Sequence, residues 1–171
     1  DTPWNVIMEI NRLAPVDDTP RNTESRALSV AMRLIKQNAP HVQWIVSFAD
    51  ATQCGDGTIY RAAGFVLTAI KKNTQIWAAP EDIPGVSTIT RMVAETGGAS
   101  RGRLLKAISR VSHPKGTNIL EAGGASMRPF KAAGFRPLAG FQLRYIRFLH
   151  PTARARLTVP EMPFSQIAAV G

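Results

Sequence analysis

The stretch VQWIVSFAD, residues 42–50, decides the fold class of this chain. It is apolar almost to its last residue, as is typical of a strand that helices bury on both faces. Further strands are predicted at 4–13 and 65–70. Residues 22–38 place apolar side chains at helical spacing, and 58–63 predict a short helix closed by Gly64. The alternation of strands and helices predicts an α/β fold with parallel pairing in part of the sheet.

Residues 71–128 are predicted to be a basic, helix-containing insertion in a single domain that covers residues 1–171. Predicted helices at 88–95 and 100–111 outline a helix-turn-helix pair. Arg101, Arg103 and Lys106 on the second helix could face a phosphate backbone, although such a row is more often a solvated face. The hexapeptide FKAAGF at 130–135 resembles YRAAGF at 60–65 and suggests a weak repeat of one helix–glycine–strand corner. A last strand is predicted at 141–149, with Arg144 and Tyr145 on opposite faces.

Charge is unevenly distributed along the 171 residues, whose formal net charge is +9. Residues 1–96 carry 9 Lys and Arg against 10 Asp and Glu, whereas residues 97–171 carry 12 against 2. A basic half of this kind favours a polyanionic partner such as nucleic acid. The hydrophobic content of 44% excludes a disordered chain, and no apolar stretch is long enough to span a membrane.

Cysteine and histidine usage adds three expectations. The single Cys54 and the lack of a signal peptide favour an intracellular, cytoplasmic location. The three histidines are far apart and lie near no cysteine pair, so no zinc site is predicted. A nucleophilic role for Cys54 is not favoured, because no histidine lies near it in sequence.

One crevice should collect the candidate site residues, because ligands bind at the carboxyl ends of parallel strands. There Asp50 could act as a base or cap the following loop. Tyr60, near the start of the next helix, could protonate a leaving thiolate or alkoxide, or pack in the core. The loop before the first long helix offers backbone N–H groups, a charge and a hydroxyl suited to a pyrophosphate or carboxylate, although an ordinary capped helix fits equally well. Its residues are Arg21, Asn22, Thr23 and Ser25.

Four short motifs together resemble the phage Mom-like DNA modification proteins. They are NTES at 22–25, SFAD at 47–50, GTIYRA at 57–62 and RYIRFL at 144–149. The resemblance runs from about residue 9 to residue 70 and returns near the end of the chain. It implies a divergent GNAT-type N-acyltransferase fold, with a central mixed β-sheet flanked by helices and without the first strands of that fold.

The resemblance also implies an activity. Mom-like proteins add a methylcarbamoyl-type group, derived from acetyl-CoA, to the exocyclic amine of adenine in phage DNA and so protect it from host restriction. It implies that the loop from Arg21 to Ser25 approaches the CoA pyrophosphate, that Asp50 and Ser25 act near the reacting groups, and that Tyr60 protonates the CoA thiolate. A metal ion is left open, because many relatives carry a histidine in the run where this chain has Asp56.

Double-stranded DNA is the implied substrate, and its adenine must be flipped out of the helix to be modified. Two other functions remain open from the sequence: a non-catalytic DNA-binding protein, and an acyl-CoA-dependent N-acyltransferase that acts on a protein or a small amine. The cations expected to hold DNA are Arg12, Arg101, Arg103, Lys106, Arg144 and Arg147.

Overall fold

A computed structural model describes residues 3–11, 13, 16, 18–52, 55–83, 85–96, 98–109 and 125–170. The chain forms two compact units. The first unit comprises residues 1–72 and 140–171, and the second comprises residues 73–139. The residue range of the second unit overlaps most of the predicted insertion at 71–128. The description of the chain as a single GNAT-like domain with that insertion stays a prediction.

The described elements follow the predicted alternation through the first 72 residues. In chain order they are a 3-10 turn Trp4–Val6, β1 Ile7–Ile10, α1 Thr23–Asn38, β2 Trp44–Asp50, α2 Thr58–Ala62, β3 Val66–Lys72, β4 Ile76–Ala78, β5 Thr88–Thr90, α3 Arg91–Thr96, α4 Ala99–Ser109, α5 Arg128–Ala132, β6 Arg136–Pro137, β7 Phe141–Phe148, α6 Pro151–Ala155 and α7 Ser165–Val170. None of the described helices is long and apolar enough to span a membrane.

The sheet of the first unit has the strand order β1-β2-β7-β3. β1 and β2 run parallel, with Ile7 opposite Trp44 and Ile10 opposite Ser47. β7 is antiparallel to both β2 and β3. The sheet is therefore mixed and the α/β class is confirmed, while the GNAT assignment stays a prediction.

The core of the first unit follows from the period of its elements. Leu28 and Met32, one helical turn apart, are the buried side chains of α1. They pack in one cluster with Ile45 of β2 and Tyr145 of β7. Each such side chain contributes about 1.5–3 kcal/mol when it leaves water. Trp44 of β2 and Ile146 of β7 point to the other face of the sheet and pack with Ala153 of α6 in a second cluster. Both faces of β2 and β7 are therefore covered by buried side chains.

The start of α1 differs from the prediction. Asn22 precedes the helix in a left-handed conformation, with φ of 66°, and its side chain makes no capping hydrogen bond. The Thr23 hydroxyl donates to the Pro20 carbonyl, 2.7 Å away, and so closes the turn before the helix. The ordinary side-chain cap that the sequence left open at the start of α1 is therefore not observed at Asn22, because its backbone instead turns the chain into the helix.

The second unit has its own antiparallel sheet, with the order β5-β4-β6, and its own core around Trp77, Phe130 and Phe135. The helix predicted at 88–95 is wrong in its first turn, since Thr88–Thr90 forms β5 and the helix begins at Arg91. Ile89 is buried opposite Trp77, and β-branched threonines flank it, which favours a strand. The helix predicted at 100–111 is α4 as far as Ser109, and positions 110 and 111 lie outside the described residues.

The two related hexapeptides adopt the same corner, one in each unit. Each ends a short helix at a glycine with positive φ, 74° at Gly64 and 90° at Gly134. In each, the phenylalanine N–H after the glycine donates to the carbonyl of the aromatic residue that opens the hexapeptide, at 2.9 Å and 3.0 Å. The paired rings of each corner meet edge to face at 5.4 Å and 5.6 Å. The predicted repeat is confirmed.

Candidate functional site

A cavity of about 660 Å³ opens where β1 leaves β2. Pairing between these strands ends at Ser47, so Phe48 to Asp50 continue with no paired residue on β1. This is the carboxyl end of the parallel pair, where open α/β sheets bind their ligands. The described residues that line it are Asn11, Leu13, Glu24, Phe48, Ala49, Asp50, Gly55, Asp56, Gly57, Thr58, Ile59 and Tyr60.

Asp50 has one engaged and one available carboxylate oxygen. Its Oδ1 accepts hydrogen bonds from the Thr52 backbone N–H, at 3.0 Å, and from the Thr52 hydroxyl. Within the described part of the chain, Oδ2 accepts none. Asp50 therefore caps the following loop, as one of the two predicted readings has it, and its second oxygen remains able to accept a hydrogen bond from a ligand in the cavity.

Tyr60 is held by its ring. The ring stacks on Tyr145, with centroids 5.2 Å apart, and meets the edge of Phe65 at 5.4 Å. Its side chain is buried, as the core reading expects, yet Tyr60 also lines the cavity. The Tyr60 hydroxyl makes no hydrogen bond to any described residue. Packing thus orients the ring and leaves the hydroxyl available.

Tyr145 supports the loop that forms one wall of the cavity. Its hydroxyl donates to the backbone carbonyl of Asp56. Burial of the phenol, followed by the charge of Asp56, raises the pKa of Tyr145 to about 12. The sequence predicted Tyr145 on one face of the last strand. It gave no sign of this bond, because Tyr145 and Asp56 are far apart in sequence.

Carboxylates dominate the charge of the cavity. Glu24, Asp50 and Asp56 line it, and none of its described lining residues is Lys or Arg. The Oδ1 atom of Asp56 accepts from the Thr58 N–H at 3.1 Å, and its Oδ2 lies 3.5 Å from Arg61. No group of three or more His, Cys, Asp and Glu side chains in the described ranges could hold a metal ion. The lining therefore suits a ligand that donates hydrogen bonds, such as an amine.

Phe48 is a site residue that the sequence reasoning used only as part of a motif. Its side chain is 50% exposed, which is unusual for phenylalanine in a central strand. It lies two residues before Asp50 and so on the same face of β2. An exposed aromatic ring beside a carboxylate could have been recognised from this spacing. Such a ring offers a stacking surface for a planar ligand.

Within the predicted cofactor loop, Glu24 lines the cavity, whereas the residues predicted to bind the cofactor are absent from its described lining. The Ser25 hydroxyl donates to the Asn22 carbonyl at 3.1 Å, and Ser25 lines a separate groove on α1. Arg21 and Thr23 are also missing from the described cavity lining. The structure thus brings Asp50 and Tyr60 together but not Ser25 with them. Positions 12 and 54, the predicted Arg12 and the disfavoured Cys54, lie outside the described residues.

The predicted DNA-binding cations of the first unit hold backbone carbonyls. Arg144 donates to the hydroxyl and carbonyl of Thr68, at 3.0 and 3.3 Å. Arg147 donates to the carbonyl of Gly64 at 2.7 Å. These bonds give both residues a structural function, and a DNA-binding function for them stays a prediction.

In the second unit, Arg101 donates to the Ala94 carbonyl at 2.8 Å and lies 6.0 Å above the Phe130 ring. Arg103 and Lys106 have exposed side chains on the same helix. A DNA-binding function for these three cations also stays a prediction.

The fold and the cavity define an α/β protein with a cavity at the carboxyl end of a parallel strand pair. A model of the Mom protein family matches residues 1–166, so the chain belongs to the Mom protein family and the resemblance inferred from its motifs is confirmed. The chain is similar to methylcarbamoylase mom of Escherichia phage Mu, with 34% identity over 151 residues that cover 88% of this chain and 51% of that protein. It thus spans about half the length of this curated relative.

Proposed function

We propose that the chain belongs to an enzyme that adds a methylcarbamoyl-type group, derived from acetyl-CoA, to the exocyclic amine of adenine in DNA. Membership of the Mom family and the name of the phage Mu relative support this function. The observation that carries the proposal is that Asp50 and Tyr60 line one cavity at the carboxyl end of a parallel strand pair. In a phage, this modification would protect DNA from host restriction.

An acyl-CoA donor suits the unpaired edge of β2. Phe48 to Asp50 extend beyond the last residue paired with β1, so an amide-bearing chain could lie along this edge of the cavity. The strand order, one parallel pair followed by antiparallel strands, is compatible with the second half of a GNAT-type acyltransferase. When bound, acetyl-CoA would supply the two-carbon acyl unit of the transferred group. The nitrogen of a methylcarbamoyl-type group, which an acetyl group lacks, would come from a second co-reactant of the ammonia or amine class.

The acceptor amine suits the acidic side of the cavity. The Oδ2 atom of Asp50 can accept a hydrogen bond from the adenine amine and then take the proton that the amine loses when its nitrogen forms a new bond. The Phe48 ring can stack on the flipped base. The Tyr60 hydroxyl can give a proton to the CoA thiolate once its bond to carbon has broken.

Nucleoside mass spectrometry tests this function. DNA from cells that express the protein, where acetyl-CoA and nitrogen donors are both present, should yield a mass-shifted adenosine. Asp50→Asn should abolish the shift while keeping the loop, because the asparagine oxygen can still accept from Thr52. The control Asp82→Asn makes the same replacement of a carboxylate by an amide at an exposed aspartate of the second unit. It should leave the mass shift intact.

Two results would contradict the proposal. Unshifted adenosine from the wild-type protein, with acetylation of a free amine instead, would favour an N-acyltransferase of another substrate class. A full mass shift from the Asp50→Asn variant would remove Asp50 from the chemistry.

A further inference from the structure

Three concave surfaces follow one another along α1 and α2. Glu24, at the start of α1, lines the cavity. Next comes a groove of about 410 Å³, lined by Arg26 and Arg33 of α1 and by Ala62 of α2. A third hollow of about 330 Å³ is lined by Lys36 of α1 and by Gly64, which follows α2. Because both helices contribute in the same order, the three surfaces lie in series. We call the second and third together the α1–α2 groove.

Charge changes sign along this series. The cavity is lined by carboxylates, whereas no Asp or Glu lines the α1–α2 groove in the part of the chain that the structure describes. The cations that line the groove are Arg26, Arg33, Lys36, Arg147 and Arg154. The net charge of residues 1–96 is close to zero and does not show this separation of charge. The carboxylates of the cavity cancel the cations of the groove in that sum.

Three of these cations are available to a ligand. Arg26, Arg33 and Lys36 have exposed side chains and make no hydrogen bond or ion pair with a described residue. Arg154, by contrast, is paired with Glu161. The Nε atom of Arg147 is buried without a hydrogen-bond partner in the described structure, although its Nη1 donates to Gly64. The third hollow thus holds a buried, unsatisfied donor, and exposed cations line both hollows of the groove.

The spacing of the row fits a chain of phosphates. Arg26 and Lys36 are ten residues apart on one helix, which corresponds to about 15 Å. One strand of a duplex carries a phosphate about every 3.4 Å along the helix axis, so this length matches about four phosphates. A cofactor with its phosphates gathered at one end would occupy only part of the row.

We propose that the α1–α2 groove binds the sugar–phosphate backbone of the DNA whose adenine enters the cavity. This inference rests on the proposed function, because that function supplies the base and its attached strand. It places a DNA contact on the first half of the chain, in addition to the basic second half that the charge distribution indicated. The backbone lies on the cations of α1, and the base reaches the carboxylates beyond Glu24.

Salt-dependent binding tests the groove. Fluorescence anisotropy measures the affinity of a labelled, adenine-containing duplex for the wild type and for the triple variant Arg26→Ala, Arg33→Ala, Lys36→Ala. The triple variant should bind at least about tenfold more weakly near 0.1 M salt. Its slope of log affinity against log salt should fall by about three, one for each phosphate that the variant no longer neutralises.

The control variant Lys71→Ala, Lys72→Ala removes two exposed cations at the end of β3, outside the groove lining. It should change the slope by less than one. Thermal shift with acetyl-CoA, measured on the same proteins, should be equal for the triple variant and the wild type.

The possible outcomes separate the two proposals. If the triple variant has the same slope of log affinity against log salt as the wild type, the proposal that the groove binds DNA is wrong, even if adenine is modified. Loss of the acetyl-CoA shift with unchanged DNA affinity also overturns it, because the cations would then serve the phosphates of the cofactor. A groove-dependent slope in a protein that modifies no adenine supports the groove and contradicts the proposed function.

Discussion

The ring of Tyr145 fills the space that a side chain at position 57 would need. A Cβ atom on Gly57 would lie 2.6 Å from Cε2 of that ring. Gly57 also has φ of 74°, a conformation that other residues adopt only at a cost. The contact places the loop before α2 directly on β7, and the hydrogen bond from Tyr145 to Asp56 holds it there. The wall of the cavity therefore depends on one glycine and one phenol.

Gly57→Ala should destabilise the protein by about 2–4 kcal/mol, because it combines left-handed strain with a clash against a buried ring. Gly55→Ala is the matched control. Gly55 has a similar φ of 80°, but apart from its chain neighbours no described residue has an atom within 4 Å of the position of its Cβ. Gly55→Ala should lower the free energy of unfolding only by the cost of the left-handed backbone, about 1–2 kcal/mol. Urea unfolding of both variants measures the difference, and equal destabilisation would show that the ring contact is unimportant.

The raised pKa of Tyr145 predicts a loss of stability at high pH. An unfolded tyrosine loses its proton near pH 10.0, whereas folded Tyr145 holds it to about pH 12. Between these values the folded state binds more protons, so the free energy of unfolding falls as the pH rises. The contribution is complete below pH 10 and lost by about pH 12. Unfolding free energies should fall less steeply for Tyr145→Phe, and parallel pH profiles would contradict this assignment.

Tyr60→Phe separates the hydroxyl of Tyr60 from its packing. The ring contacts with Tyr145 and Phe65 remain, and the hydroxyl makes no hydrogen bond to a described residue. Stability should change by less than about 0.5 kcal/mol. The rate of adenine modification should fall by about 10²–10⁴-fold if the hydroxyl protonates the leaving group. Tyr60→Leu, which removes the ring as well, should lower stability and rate together. A fully active Tyr60→Phe variant would exclude this proton donor.

The separate core of the second unit predicts a local effect of mutation there. Phe130 is fully buried against Phe135, and Phe130→Ala should cost about 3–5 kcal/mol. Amide hydrogen exchange should lose protection in β4, β5 and β6 while β2 and β7 keep theirs. Loss of protection throughout both sheets would show that the two cores unfold as one.

The sequence predicted the elements of the first unit because their signals are local. The apolar run at 44–50, the helical spacing of α1 and Gly64 at the end of α2 each act within a few residues. Thr88–Thr90 was misassigned because its pairing with Ile76–Ala78 is a tertiary contact. Tertiary contacts of this kind override the weak propensity of a short segment.

The site was predictable only in part. Asp50 and Tyr60 follow from strand-end and helix-start rules, and the cavity contains both. The place of Ser25 could not be predicted, because its direction depends on how the left-handed Asn22 turns into α1. The bond from Tyr145 to Asp56 and the order of cations along the α1–α2 groove require the folded sheet and helices. No local pattern encodes them.

The central position of β7 has a consequence for synthesis of the protein. β7 pairs with β2 and β3, yet the ribosome makes the whole second unit before it makes β7. Until β7 emerges, the Asp56 carbonyl has no Tyr145 hydroxyl to bind, and the cavity wall is open. The corners at Gly64 and Gly134 need only neighbouring residues and can form at once, whereas non-local strand pairing is slow. We therefore expect the wall of the cavity to close only after β7 is translated.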